Sequence, residues 1–260
     1  MKTAYPQGVQ AKEFILPKEL LEQDCVISLS KMKTHALERI TGAVKNSYGF
    51  IYGFHKAKGH TQYPSADSFA RMLIDLNKCV APKLYVMDGI VAMEGNGPGS
   101  GDPVPMNVLL MSTDPVALDS VFSRLVYLKP EMVPTNYHGE KMGLGTWKEE
   151  EITLLTPDGE ISMAEAVKKY GNPAFNVDRT EVRKNIWTRM AGALNIFQKK
   201  PYIEADKCVR CGICVQSCPV PGKAVDFRKG KGKPPVYDYR KCIRCFCCQE
   251  MCPKKAIKVK

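Results

Sequence analysis

One cysteine spacing is written twice near the C-terminus, in CVRCGICVQSCP (208–219) and CIRCFCCQEMCP (242–253). Each copy has three cysteines at two-residue gaps and then a fourth that precedes a proline. Nine of the 11 cysteines in this 260-residue chain lie between Cys208 and Cys252, whereas Cys25 and Cys79 stand alone. The first residues, MKTAYPQGVQ, lack the apolar core of a secretory signal. Cysteines at these gaps in such a chain indicate metal binding rather than disulfides.

The doubled spacing is that of bacterial ferredoxins with two iron–sulfur clusters. In that arrangement three cysteines wrap one face of a cubane and the fourth points at the other cluster. The sequence therefore predicts two [4Fe-4S] clusters, the first held by Cys208, Cys211, Cys214 and Cys252 and the second by Cys242, Cys245, Cys248 and Cys218. Cys247 falls out of register and is expected to be a free thiol beside the second cluster. One alternative is zinc, for which a C-x-x-C pair supplies two of four ligands. The other is that the clusters only stabilise a small fold.

Composition sets the class of protein. Hydrophobic residues make up 44% and charged residues 25% of the chain, which is ordinary for a globular protein. No stretch approaches the ~20 apolar residues of a membrane helix. A cytoplasmic protein without a membrane span is therefore predicted.

The charge is concentrated at the C-terminal end and indicates a partner. Residues 200–260 hold 15 Lys+Arg against 5 Asp+Glu, a net charge of +10 out of +11 for the whole chain. A basic surface around a redox centre attracts acidic electron carriers such as ferredoxin or flavodoxin. Nucleic acid is the competing partner, but the basic loop RKGKGKPP (228–235) lacks interleaved aromatics, so none is predicted. A merely solvated loop is the remaining alternative.

The first 199 residues alternate strand-like apolar runs with helical patterns. Strands are predicted at 24–30, 83–93, 108–112 and 152–156, and helices at 37–48 and 65–80. This alternation predicts an α/β fold with a mostly parallel sheet covered by helices. The predicted organisation is an α/β domain over 1–178, a connecting helix over 179–199 and a small α+β ferredoxin-type iron–sulfur domain over 200–260. Within that last domain, PYIEA (201–205) and AIKVK (256–260) are expected to pair.

Polar side chains gather where the first two predicted strands end. Lys31, Lys33 and His35 follow the first strand, and Asp88 and Glu94 accompany the end of the second. Ligands of parallel α/β sheets bind outside the carboxyl ends of the strands, so we expect these five residues to form a catalytic site. The lysines and the histidine would orient a small anionic substrate or donate a proton, and the acidic groups would bind a metal or a polar substrate. A solvated turn, a structural histidine and a plain connection are the ordinary alternatives.

The sequence leaves a second cofactor in the α/β domain open. A further metal or a flavin would suit the polar strand ends. No G-x-G-x-x-G stands between a strand and a helix, so a nicotinamide dinucleotide is not predicted.

Several motifs resemble one known family. They are LSKMKTH (29–35), TGAVKNSYGF (41–50), DGIVAMEGNGPGSG (88–101), STDPVALDSVFSRL (112–125) and KMGLG (141–145). Together they resemble the domain-of-unknown-function 362 family, over residues 20–160, whose members often carry a C-terminal two-cluster ferredoxin module. The resemblance implies an iron–sulfur protein of anaerobic metabolism with no settled substrate, and supplies no catalytic residues.

The N-terminal region is short beside that of family members, which usually have further strands before the segment at 24–30. A sheet lacking those strands would expose an edge. An oligomer or a partner chain is therefore predicted.

Three functions are compatible with these features. The first is a redox protein, such as a ferredoxin-linked oxidoreductase, that passes electrons through the clusters between an acidic carrier and a site or partner at the α/β domain. The second is a non-redox enzyme using His35 and Asp88, with structural or sensing clusters. The third is an electron-relay or assembly module with no active site of its own.

Overall fold

The computed structural model describes residues 1–52, 55–181 and 199–259. In these ranges the strands are β1 (Lys2–Ala4), β2 (Glu13–Ile15), β3 (Ile27–His35), β4 (Arg39–Thr41), β5 (Leu84–Glu94), β6 (Asp102–Ser112), β7 (Leu154–Thr156), β8 (Gly159–Ile161), β9 (Pro201–Ile203), β10 (Val225–Asp226), β11 (Val236–Tyr237) and β12 (Ile257–Val259). The α-helices are α1 (Lys18–Leu21), α2 (Ala43–Asn46), α3 (His55–Gln62), α4 (Ala66–Val80), α5 (Pro115–Leu125), α6 (Pro134–Lys141), α7 (Met163–Tyr170), α8 (Ile213–Gln216) and α9 (Cys247–Glu250). Short 3-10 helices lie at Ser47–Phe50, Pro130–Met132 and Glu149–Glu151. The helix predicted over 179–199 falls largely on 182–198, outside the described residues.

The central sheet is mixed, so the prediction of a mostly parallel sheet is wrong. Its order is β4-β3-β5-β6, and only the β3–β5 pair is parallel. A parallel neighbour needs a crossover of a dozen or more residues, but only residues 95–101 connect β5 to β6 because β6 begins at Asp102. The chain therefore returns beside β5 as a hairpin. Residues 36–38 likewise turn β3 into antiparallel β4, which delays the helix predicted from 37 until Ala43.

The predicted strand at 152–156 does not join this sheet. The part of it that forms a strand, β7, pairs with β8 in a separate two-stranded hairpin.

Helices cover one face of the central sheet. Side chains alternate along strands, and the inward set, which includes Met32 and Met87, packs with Phe122 of α5 in the main core. On the opposite face Leu29 is 71% exposed and its register neighbour across β5, Met111, is 62% exposed. The expected helical cover is therefore absent from this face among the described residues.

Helix α4 matches the helix predicted at 65–80. Ser65 caps it, because its hydroxyl accepts the Ser68 N–H at 3.1 Å, as the N-cap preference for serine predicts. Its buried Asp75 accepts backbone N–H groups from residues 9–11 at 2.6–2.9 Å. This contact ties the β1–β2 hairpin to the domain.

The C-terminal region consists of two small two-stranded sheets and two short helices. Strands β9 and β12 pair antiparallel, as the end segments predicted, and β10 pairs with β11. Helices α8 and α9 occupy equivalent places in the two cysteine motifs. No helix in the described parts of the chain is long and apolar enough to cross a bilayer.

Candidate iron–sulfur centres and domain junction

The eight cysteines of the doubled spacing surround two small cavities. The first is lined by Cys208, Cys211, Cys214 and Cys252. The second is lined by Cys218, Cys242, Cys245 and Cys248. Each cavity thus receives three cysteines from one motif and one from the other, which is the crossed grouping expected for a ferredoxin-type pair of centres. Four thiolates are the ligand set of an iron–sulfur cubane, so the residues present fit that group.

The backbone takes the same unusual shape around both cavities. Positive φ angles occur at Arg210 (60°) and Gly212 (77°) in the first motif and at Arg244 (56°) and Phe246 (60°) in the second. These left-handed residues flank the second cysteine of each motif. Their strain in non-glycine residues is consistent with a loop held in position by the ligand that its cysteines would share.

Each motif also directs a backbone donor at the sulfur of its last cysteine. The Ala224 N–H donates to Cys218 Sγ, and the Ala256 N–H donates to Cys252 Sγ, both at 3.3 Å. Such donors stabilise negative charge on a thiolate. Burial raises the pKa of Cys214 to about 11, so binding of a metal at this cavity must displace a proton.

The second motif lies against the α/β domain through a buried histidine. His35 Nδ1 accepts the backbone N–H groups of Leu37 (3.1 Å) and Glu38 (3.0 Å). The ring proton must therefore be on Nε2, which lies 3.0 Å from Oε1 of Glu250 in α9. Burial lowers the pKa of His35, so the neutral imidazole donates to the carboxylate.

The glycine-rich connection over 95–101, here called the glycine loop, forms the rest of the junction. Gln249 Nε2 donates to the carbonyls of Asn96 (2.7 Å) and Gly97 (3.2 Å), and Asn96 Nδ2 donates to the carbonyl of Ile257 at 3.0 Å. Glycine is required at position 99 because a Cβ there would lie 2.8 Å from the backbone oxygen of Glu250. The loop therefore holds the iron–sulfur region against the sheet.

Buried charges surround the His35–Glu250 contact. Burial alone would raise the pKa of Glu250, but the Lys45 ammonium and the His35 hydrogen bond lower it to about 2. Burial and the nearby Lys45 lower the pKa of Lys33, and burial lowers that of His60 to about 4. The charge of Lys45, which is buried in α2, thus contributes to the pKa shifts of three titratable groups at the junction.

Two family models match separate stretches of the chain. Residues 2–124 match the family model of the domain of unknown function DUF362, and residues 200–253 match that of the 4Fe-4S dicluster domain. The stretch that matches the first model, just under half of the chain, is called the DUF362 domain below, and the stretch that matches the second is called the iron–sulfur domain. The DUF362 match begins earlier than the segment from which the resemblance was drawn and includes β1 and β2.

One curated relative is thylakoid-associated protein sll1697 of Synechocystis sp. (strain ATCC 27184 / PCC 6803 / Kazusa). It is 42% identical over 130 residues, which is 50% of this chain and 40% of that protein. The chain thus spans well under two thirds of the relative's length. No solved structure matches.

The DUF362 domain brings only two of the five predicted catalytic residues to the junction, Lys33 and His35. Lys31 and Asp88 instead form an ion pair at 2.6 Å, with side chains 39% and 40% exposed. Glu94 accepts the backbone N–H of Asn176 at 2.7 Å and so anchors the chain after α7. The parallel β3–β5 register places Lys31 directly beside Asp88, which explains their pairing.

Sequence reasoning missed Lys45, Glu38 and Glu250. Both carboxylate oxygens of Glu38 are buried without a hydrogen-bond partner among the described residues, and burial raises the pKa of Glu38 well above its usual value. A signal was present in TGAVKN (41–46), where a single lysine interrupts small and apolar residues. No signal in the sequence indicated Glu250 except its position between two cysteines.

A polar cavity of about 460 Å³ opens beside the junction. It lies between the ends of β3 and β4, the glycine loop and the β9–β12 sheet, and its lining includes His35, Arg39, Asn96, Tyr202 and Lys258. Arg39 donates to the carbonyls of residues 178 and 180 at 2.8 and 2.9 Å. The Arg39 guanidinium is thus held in place by these carbonyls, and Lys258 lines the cavity from the iron–sulfur side.

Proposed function

We propose that this protein is a redox protein that passes electrons through two [4Fe-4S] clusters, between an acidic carrier and a site at the DUF362 domain. The observation that carries the proposal is the distribution of eight cysteines over two cavities, four to each. The match to the 4Fe-4S dicluster family supports it. When bound, each cluster supplies reversible one-electron transfer.

The surface beside the first cavity suits the docking of an acidic electron carrier. Cys211 is exposed there, and the ring of Phe227 lies close to Gly212, since a Cβ on that glycine would be 3.4 Å from it. Phe227 leads directly into the loop at 228–233, whose lysines are exposed. An acidic ferredoxin or flavodoxin attracted by this loop would approach the first cavity.

The groups between the second cavity and the DUF362 domain suit the binding of a substrate. Glu250 in α9 touches His35, and Lys33 and Lys45 lie within its field. A small anionic substrate is the ligand that the Lys33 ammonium would attract, because the His35 N–H is already donated to Glu250 and Lys45 is buried. Lys33 is the half-buried member of this set, and the low pKa that burial and Lys45 impose on it suits a proton donor.

Metal analysis of anaerobically purified protein tests the proposal. About eight irons and eight sulfides per chain are expected, with visible absorption that bleaches on reduction and a coupled spin-resonance signal. Zinc in place of iron, with no bleaching, would refute the redox function. Activity that persists with the clusters held oxidised would favour the non-redox enzyme instead.

The carrier side is tested by charge reversal. The variant Lys229→Glu/Lys231→Glu is expected to slow reduction by an acidic ferredoxin severalfold at low salt, and the difference should vanish at high salt. The matched control Lys168→Glu/Lys169→Glu makes the same charge change on exposed residues of α7. Equal slowing in both variants would show that net charge alone, rather than this loop, attracts the carrier.

A further inference from the structure

The two halves of the iron–sulfur domain differ at two equivalent positions. These positions lie five residues before and five residues after the first cysteine of each motif. The first half has Ile203 and Ile213 there, whereas the second half has Tyr237 and Cys247. Ile203 and Tyr237 also hold matching places in the two small sheets, opposite Ile257 and Val225. Two apolar side chains in one half are therefore two potential hydrogen-bond donors in the other.

Both donors reach sulfurs that line the second cavity. The Tyr237 hydroxyl lies 3.1 Å from Cys248 Sγ, and the Cys247 thiol is hydrogen-bonded to the Cys245 side chain. A cysteine that ligates a metal is a thiolate and has no proton to give, so the Tyr237 hydroxyl would be the donor in this pair. The Ile203 and Ile213 side chains have no O–H or S–H group with which to do the same.

The cysteines of the second cavity are also more buried than those of the first, and burial acts on the potential in the opposite direction to hydrogen-bond donors. Three cysteines of the second cavity, Cys218, Cys245 and Cys248, are buried, whereas in the first only Cys214 is buried and Cys211 is exposed. Removing charge from water disfavours the more negative, reduced form of a centre. Taken alone, burial would make the inner centre the harder of the two to reduce, although it is the one beside Glu250 and the DUF362 domain.

We infer that Tyr237 and Cys247 set the potential of the inner centre, by donating hydrogen bonds to Cys248 and Cys245 that offset its burial. The backbone donors do not distinguish the two cavities, since each cavity receives one at 3.3 Å. Hydrogen bonds to ligand sulfurs are among the factors that fix iron–sulfur potentials. The inner centre would then accept an electron readily from the exposed centre. This inference rests on the proposed two-cluster function.

The test compares potentials rather than turnover. Tyr237→Phe keeps the ring and removes the hydroxyl, and Cys247→Ala removes the thiol, whereas Cys247→Ser retains a donor. The matched controls are Ile203→Val and Ile213→Val in the other half. Each protein is loaded with iron, checked for full iron content and titrated potentiometrically with spin-resonance detection. Tyr237→Phe and Cys247→Ala are each expected to shift the reduction equilibrium of one centre about tenfold toward the oxidised form, ~59 mV for one electron.

Each outcome distinguishes the inference from the function on which it rests. The inference is supported if Tyr237→Phe and Cys247→Ala each shift the potential of only one of the two centres. Cys247→Ser and the isoleucine controls should then keep the potentials of the parent. Iron-loaded variants whose potentials equal those of the parent, or in which both centres shift equally, would overturn it and leave the redox function standing. A parent protein that binds no iron would overturn the proposed function itself.

Discussion

Replacement of His35 by phenylalanine removes three hydrogen bonds while keeping a buried ring of similar size. The backbone N–H of Glu38 loses its acceptor in a buried position, that of Leu37 in a half-buried one, and Glu250 loses its donor. An orphaned buried polar group costs about 1–3 kcal/mol. Allowing less for the Leu37 N–H, which water can reach, we expect a loss of about 4 kcal/mol. A typical domain has only about 5–15 kcal/mol of stability.

Two further variants separate the local turn from the domain contact. His35→Asn retains an acceptor near the position of Nδ1 but is too short to reach Glu250. His35→Gln extends toward Glu250 but removes the acceptor of the turn. If the Glu250 contact holds the domains together, His35→Asn should uncouple cluster loss from global unfolding, and His35→Gln should lower stability without uncoupling them.

Denaturant unfolding followed by two probes measures both effects. Cluster absorbance reports the iron–sulfur domain, and tryptophan fluorescence reports the α/β domain when every protein carries Trp187→Phe, so that Trp147 is the remaining tryptophan. In the parent the two transitions should coincide. A loss below about 1 kcal/mol for His35→Phe, with coincident transitions in all variants, would refute the view that this histidine joins the domains.

Three other predictions concern a cysteine ligand, a second buried histidine and an exposed ion pair. Cys211→Ser should lose one cluster and weaken the other, because each cavity takes a cysteine from both motifs; iron analysis showing no loss would contradict the ligand grouping. His60→Phe should reduce acid sensitivity, because burial lowers the pKa of His60 from 6.5 to about 4. As the pH falls through this window the unfolded chain binds the proton first, and His60 alone removes about 3 kcal/mol of stability. Unfolding at pH 4–7 should therefore show a shallower loss of stability in the variant than in the parent, and equal losses would contradict the prediction. Lys31→Met should change stability by less than about 1 kcal/mol, because its ion pair with Asp88 is partly exposed; a larger loss in thermal unfolding would assign that pair a structural role.

Local features of the sequence were sufficient for the elements whose chemistry is local. The cysteine spacing indicated an iron–sulfur domain, and the family match confirms a 4Fe-4S domain there, because ligand spacing is written along a short stretch of chain. Ser65 and the apolar periodicity after it predicted α4 to within one residue. The pairing of the two end segments was also predictable, since each carries a short apolar run.

Only the tertiary structure decided how these parts meet. The direction of β6 depends on the length of the turn before it. This strand begins at Asp102, six residues before the strand predicted at 108–112, although Pro103 and Pro105 disfavour a strand interior. Both prolines lie on an edge strand of the sheet. His35 and Glu250 are 215 residues apart in the chain, so no local pattern predicts their contact. The buried Lys45 acquires its role in the same way, because the charge of a side chain is fixed by its type, whereas the groups within its field are fixed by the fold.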